Sequence, residues 1–187
     1  GSNEWQASAY SFIRNESLAG KTPVELNTPT RERLAEFTSL TYGARVGGPI
    51  IKNKLFFFVN LERQQEETPF PFDISGYGGD SGLTEINQLR DFVNTAYGYD
   101  IGGFDNALRT LDSDKFTTRL DWNIDQKNKV TAKFSYVTAD NLETRASDFN
   151  NLSFDNGSEF FQHETTSGTL EWNFQGNSIA NNFLVSF

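Results

Sequence analysis

Charged side chains sit at alternate positions in several apolar stretches of this chain, and they are the residues with the most chemistry to offer. Glu62, Asp121 and Glu171 are carboxylates of this kind, accompanied by the cations Arg45, Arg119 and Lys133. Two carboxylates at a fixed separation in a cleft could act as acid and base in glycoside hydrolysis. These three fall on separate segments, with the cations expected on the same polar face. Charges of both signs along one wall more simply form a hydrogen-bonded ionic lattice in a wet lumen. The expectation is that the protein is not an enzyme and that no catalytic residue is present.

Other constellations lead to equally plain readings. Asp73 with Asp80, Asp112 with Asp114, and Asp148 with Asp155 offer the oxygen ligands that calcium takes, but none has the spacing of a known calcium loop. They are read as solvated acidic surface. Gly47, Gly48, Gly76, Gly78 and Gly79 precede no Gly-Lys-Ser or Gly-Lys-Thr ending, so they form no phosphate loop. With no cysteine and one histidine, His163, thiolate and histidine metal sites have almost nothing to build on. No cofactor is expected. A net charge of -9 without a basic stripe argues against a nucleic-acid partner.

What must position such residues is a set of two-faced strands. Alternation with period two occurs at Glu4 to Arg14, Leu40 to Gly47, Lys54 to Gln64, Phe116 to Asn123, Lys129 to Thr138, Gly168 to Gln175, and Asn182 to the end. In each, one face reads apolar and the other polar. Leu55, Phe57, Val59, Leu61, Phe116, Leu120, Trp122, Val130, Ala132, Phe134, Tyr136, Leu170, Trp172, Phe174, Phe183, Val185 and Phe187 should share one side. Asn60, Glu62, Thr117, Arg119, Asp121, Thr131, Lys133, Ser135, Thr169, Glu171 and Asn173 should share the other, with Asp121 in pairing reach of Lys133, directly opposite or on the diagonal. The longest apolar run, Leu55 to Val59, is far too short for a membrane helix, whereas a barrel strand needs only about 9 to 11 residues.

Short connections alternate with long ones. Gly47 to Asn53, Ile124 to Asn128 and Gly176 to Asn181 carry turn residues. Asn15 to Ser39, Gln65 to Lys115 and Ala139 to Ser167 are long, polar and acidic, as the extracellular loops of outer-membrane barrels are. Within the second, Leu83, Ile86, Leu89, Val93 and Ala96 are spaced for a helix over about Thr84 to Tyr97, capped by Gly98. It packs over the loop or serves as a lid. The fold expected is all-β: an antiparallel up-and-down meander of about seven strands, part of a larger transmembrane barrel, with one short helix in a long extracellular loop. Trp122 and Trp172, close to short turns, should mark the periplasmic edge of the apolar band.

The same segments carry a resemblance. Gly1-Ser-Asn-Glu-Trp-Gln-Ala-Ser-Ala-Tyr-Ser-Phe-Ile-Arg-Asn15, Val46-Gly-Gly-Pro-Ile-Ile-Lys-Asn-Lys-Leu-Phe-Phe-Phe58, Asp114-Lys-Phe-Thr-Thr-Arg-Leu-Asp-Trp-Asn-Ile124 and Asn128-Lys-Val-Thr-Ala-Lys-Phe-Ser-Tyr136 resemble the early barrel strands of Oar-like TonB-dependent outer-membrane receptors. Tyr97-Gly-Tyr-Asp-Ile-Gly-Gly-Phe-Asp-Asn106 is similar to versions from Bacteroidetes-type bacteria. The resemblance implies a barrel of about 22 strands around a plug, of which residues 1–187 supply roughly a third of the wall. Both ends then read as cuts, with plug, TonB box and signal peptide outside the chain. It implies outer-membrane lipid, the TonB system and an unknown ligand as partners, in the outer membrane of a Gram-negative cell. The rival readings are a soluble or surface β-domain that binds glycan or protein, and an ungated porin.

Overall fold

The computed structural model describes residues 1–23 and 30–187. Seven strands form one antiparallel sheet in strict sequence order: β1 Gln6–Asn15, β2 Thr38–Ile51, β3 Leu55–Pro71, β4 Asn106–Asn123, β5 Asn128–Glu143, β6 Glu159–Gln175 and β7 Ala180–Ser186. One helix, α1 Leu83–Tyr97, lies between β3 and β4. The sheet stays open, with β1 and β7 as its edges.

Register decides which residues share a face, because directly paired residues of antiparallel strands point the same way and a one-residue slip would exchange the faces. One row runs Leu55, Trp122, Val130, Trp172, Phe183, and the next on that face runs Phe57, Leu120, Ala132, Leu170, Val185. The intervening row is Phe56, Asp121, Thr131, Glu171, Leu184, and beyond it come Phe58, Arg119, Lys133, Thr169, Ser186. Apolar and charged residues therefore segregate by face as their alternation predicts. In the middle of the apolar face, Thr118 lies between Val59 and Phe134. Its hydroxyl donates to the Phe58 carbonyl at 3.1 Å, so the hydrogen-bonding capacity of the group is spent within the sheet.

Hydrophobic girth ends abruptly toward the long loops. After Leu61 and Phe116, the next row on that face is Arg63, Asp114, Thr138 and Glu164, with Arg63 bridging to Asp114 at 3.1 Å. Four alternate positions, Leu55 to Leu61, thus bound the apolar band, about 20 Å along the strand at roughly 3.3 Å per residue. Trp122 and Trp172 share a row close to the short turns, where aromatic girdles sit, with only Asn128, Phe174 and Asn181 beyond it on β5 to β7. The Trp172 indole donates to Asn128 Oδ1 at 3.1 Å.

The strands outrun their alternating cores at the long-loop end. β3 continues to Pro71, β4 begins at Asn106, β5 ends at Glu143 and β6 begins at Glu159, so much of the sequence expected as loop is paired sheet. Periodicity misses these extensions because neither face there meets an apolar medium. Cross-strand polar pairs such as Arg109 with Glu143 at 3.1 Å hold them instead. The long connections shrink to residues 16–37, 72–105 and 144–158; residues 24–29 of the first lie outside the described residues.

The first short turn is tighter than its Gly-Gly-Pro run suggests. β2 continues through Pro49 to Ile51, with a register shift between them, and only residues 52–54 turn. Pro49 is accommodated because β1 begins at Gln6, opposite Gly47, so no ladder hydrogen bond is asked of the missing N–H. Asn53 takes the left-handed conformation that Asn tolerates, at φ 63°. All three short turns lie at one end of the meander, and the three long connections at the other.

Candidate functional site: the polar face and the joined loops

Each sequence-predicted charged residue lies on the face opposite the apolar band, where each carboxylate is held by its own donors. Asp121, only 7% exposed, accepts two hydrogen bonds from Arg119 at 2.8 Å and one from the Thr131 hydroxyl at 2.8 Å. Lys129 approaches it to 3.9 Å. Lys133 stands on the diagonal from Asp121, as expected, directly opposite Arg119 and with Thr131 across from Asp121, but the ion pair that Asp121 forms is with Arg119. Arg119, two residues along the same strand, reaches the carboxylate first.

Glu62 accepts from Lys115 at 2.9 Å and from the Tyr10 hydroxyl at 2.7 Å. Tyr10 and Glu62 are paired from either side with Gly43, and the Tyr10 ring lies across that glycine. A Cβ on Gly43 would come within 2.6 Å of both the ring and the Leu61 carbonyl, so the missing side chain is what lets tyrosine reach glutamate. Glu171 accepts from Asn173 at 2.9 Å and from Asn182 at 2.8 Å. Arg45 donates to Ser8 at 2.8 Å. Glu62, Asp121 and Glu171 are thus each held by donors in place, as members of a structural lattice are.

Tyr10, Lys115, Lys129 and Asn182 complete this lattice and were not singled out by spacing. Tyr10 was legible as a member of the polar face. Lys115 was hidden because the alternation of β4 breaks down where the strand leaves the apolar band. Two phenylalanines also interrupt the polar face near the short turns: Phe56, 6% exposed, opposite Asp121, and Phe58 opposite Arg119. Gly1 packs against Phe56, which accounts for its burial.

At the long-loop end, residues 72–105 and 144–158 join. The Gly103 N–H donates to Asp155 Oδ2 at 2.7 Å, and the Asp155 N–H donates to the Gly103 carbonyl at 2.9 Å. The Ser147 hydroxyl donates to the Phe104 carbonyl at 2.8 Å and accepts from the Ser153 N–H at 3.0 Å. Phe104, buried, meets Phe154 edge to face with centroids 6.1 Å apart. The Gly78 N–H adds a bond to the Phe149 carbonyl at 2.8 Å. Contacts between two loops carry no sequence period, so nothing in the chain announces them.

Helix α1 runs one residue longer at its start than its spacing suggests, with the Gly82 N–H donating to Glu85 and left-handed Gly98 closing the end against Asn94. Ile86 is its buried anchor, whereas Leu89, Phe92 and Tyr97 are exposed. The loop carboxylates serve turns. Asp73 accepts from the Ser75 hydroxyl and N–H, which holds its carboxyl below the ordinary carboxylate range. The same downward direction holds for Asp148, through the Asn150 and Asn151 N–H groups, and for Asp125, through the Lys127 N–H and the Asn128 side chain and N–H. Asp112 and Asp114 share Arg63.

With this geometry in place, one comparison is informative. Residues 1–71, from before β1 to the end of β3, match the family model described as outer membrane beta barrel domain. No curated protein and no solved structure matches the chain. The match and the seven-stranded meander agree on an outer-membrane β-barrel. Its location is the outer membrane. Lipid is then the environment of the barrel, and the face bearing Phe57, Leu120 and Leu170 is the one suited to it.

Proposed function

We propose that this chain is part of the wall of a TonB-dependent receptor-transporter of the Oar-like kind. Loops at the α1 end capture a ligand outside the cell. The polar face with Arg45, Glu62, Arg119, Asp121, Lys133 and Glu171 lines the lumen, where a plug elsewhere in the protein gates passage. The action is non-covalent, and the chain supplies no catalytic group. The observation that supports this reading best is the segregation of faces through the registers from β3 to β7: a long cation on the lipid side costs about 2 to 4 kcal/mol at the bilayer midplane, but in a wet lumen it can pair.

Single cysteines at Tyr97 and Gln126 in the full-length protein test the orientation, since the chain has none of its own. A membrane-impermeant maleimide on intact cells should label Tyr97→Cys and spare Gln126→Cys. Equal labelling of both would sink the transmembrane arrangement and favour a soluble or surface β-domain. Planar-bilayer recording of the purified protein separates the remaining rival, because steady ohmic conductance would mean an ungated porin.

A further inference from the structure

We propose that the polar face holds an anion-binding step centred on Lys133 and Arg119, taking a small oxyanion such as phosphate or a phosphorylated solute as it passes. The inference rests on the transport reading above and adds the ligand's chemistry to it. Arg119 and Lys133 are directly opposite each other on neighbouring strands, an arrangement of like charges that destabilises a sheet unless an anion answers it. Asp121, which Lys129 also approaches at 3.9 Å, answers Arg119 through Nε and Nη2 and leaves the guanidinium's Nη1 uncommitted.

Lys133 makes no ion pair among the described residues, although Glu62, Asp121 and Glu171 on the same face are each held by other donors. A surplus cation is notable in a chain of net charge -9. Thr169 lies directly across from Lys133 on the other side and Ser135 flanks it along the strand, while the Thr131 hydroxyl is already donated to Asp121. A hollow lined by Phe58, Thr117, Arg119, Asp121 and Lys133 opens there. Ammonium, a free guanidinium N–H and neighbouring hydroxyls are the donors that bind oxyanions by charge-assisted hydrogen bonds.

The test is calorimetric titration of the full-length protein in detergent with inorganic phosphate. Binding should be seen in the wild type, should weaken about tenfold or more in Lys133→Gln, the scale of one lost hydrogen bond to a charged group, and should return in Lys133→Arg. Lys52→Gln, in the first short turn and away from the hollow, removes the same charge and should leave affinity unchanged. Heat modifiability on a denaturing gel confirms that each variant is folded. No phosphate binding to the wild type, including the case in which an acidic side chain from the rest of the protein already fills the hollow, overturns the proposal, as does equal affinity of wild type and Lys133→Gln. Correct cysteine labelling with no phosphate heat would sink the anion step alone, whereas phosphate heat with wrong labelling would sink the transport reading alone.

Discussion

Replacing Leu120 by arginine puts the face assignment at risk in one step. Leu120 lies one row in from Trp122, two residues or about 6.6 Å along the strand, flanked by Phe57 and Ala132, and its side chain is 44% exposed on the apolar side. A guanidinium there has no carboxylate on its own face within the apolar band, since the first one beyond Phe116 is Asp114, six residues away. The cost falls to zero or about 1 kcal/mol at the interfaces and reaches about 2 to 4 at the midplane, so this depth corresponds to about 2 to 3 kcal/mol. Ser167→Arg is the comparison. Ser167 pairs with Ser135 within the same band on the opposite face, three residues nearer the long loops, and an added arginine there should stay within about 0.5 kcal/mol, as surface substitutions do. Guanidinium unfolding of the full-length protein in lipid vesicles, followed by tryptophan fluorescence, gives both numbers. A Leu120→Arg variant as stable as wild type, or one less damaging than Ser167→Arg, would refute the reasoning.

Gly43→Val should destabilise by about 3 kcal/mol or more, combining overpacking against the Leu61 carbonyl with loss of the Tyr10 to Glu62 bond, whereas Tyr10→Phe should lose only the bond, about 1.5 kcal/mol; equal costs in the same unfolding assay would count against the contact. Asp125 has its carboxyl lowered in the folded turn, so its contribution is complete above the ordinary carboxylate range and disappears as pH falls through the lower folded value; the protection of the Lys127 and Asn128 amides, taken as exchange relative to the unstructured rate at each pH, should fall only at that acid end, and in Asp125→Asn the acid step should vanish. Ser147→Ala leaves the Phe104 carbonyl and Ser153 N–H without their partner at a local cost of about 1 to 3 kcal/mol, so limited proteolysis within residues 144–158 should quicken while barrel unfolding is unchanged.

The meander was legible wherever an apolar medium imposes a period. Val130, Ala132 and Phe134 against Thr131, Lys133 and Ser135 give away strand, face and neighbour at once, because each choice has a large cost if reversed. The polar reaches of β3 to β6 were not legible, since Gln64 to Pro71 and Glu159 to Ser167 obey no such constraint. Of the candidate site, the membership of the face could be read from sequence but its pairing could not. Asp121 had Arg119, Lys129 and Lys133 within two or three positions of register, and the choice among them depends on side-chain reach. Gly43 was likewise unreadable as the seat of Tyr10, because its role appears only once three strands are side by side.

The joined loops have a mechanical consequence. Residues 72–105 spring from β3 and β4, residues 144–158 from β5 and β6, and the bonds at Gly103, Phe104, Ser147 and Asp155 fasten one hairpin to the next. They act as a lintel across four consecutive strand ends. A rim braced in that way resists dilation between β4 and β5, so any widening of the mouth falls to the β1–β2 side or to wall beyond the two edges. It follows that residues 101–104 and residues 147–156 move together, so a cross-link between them should leave the motion of the rim unchanged, while a cross-link from either to residues 16–37 should restrict it.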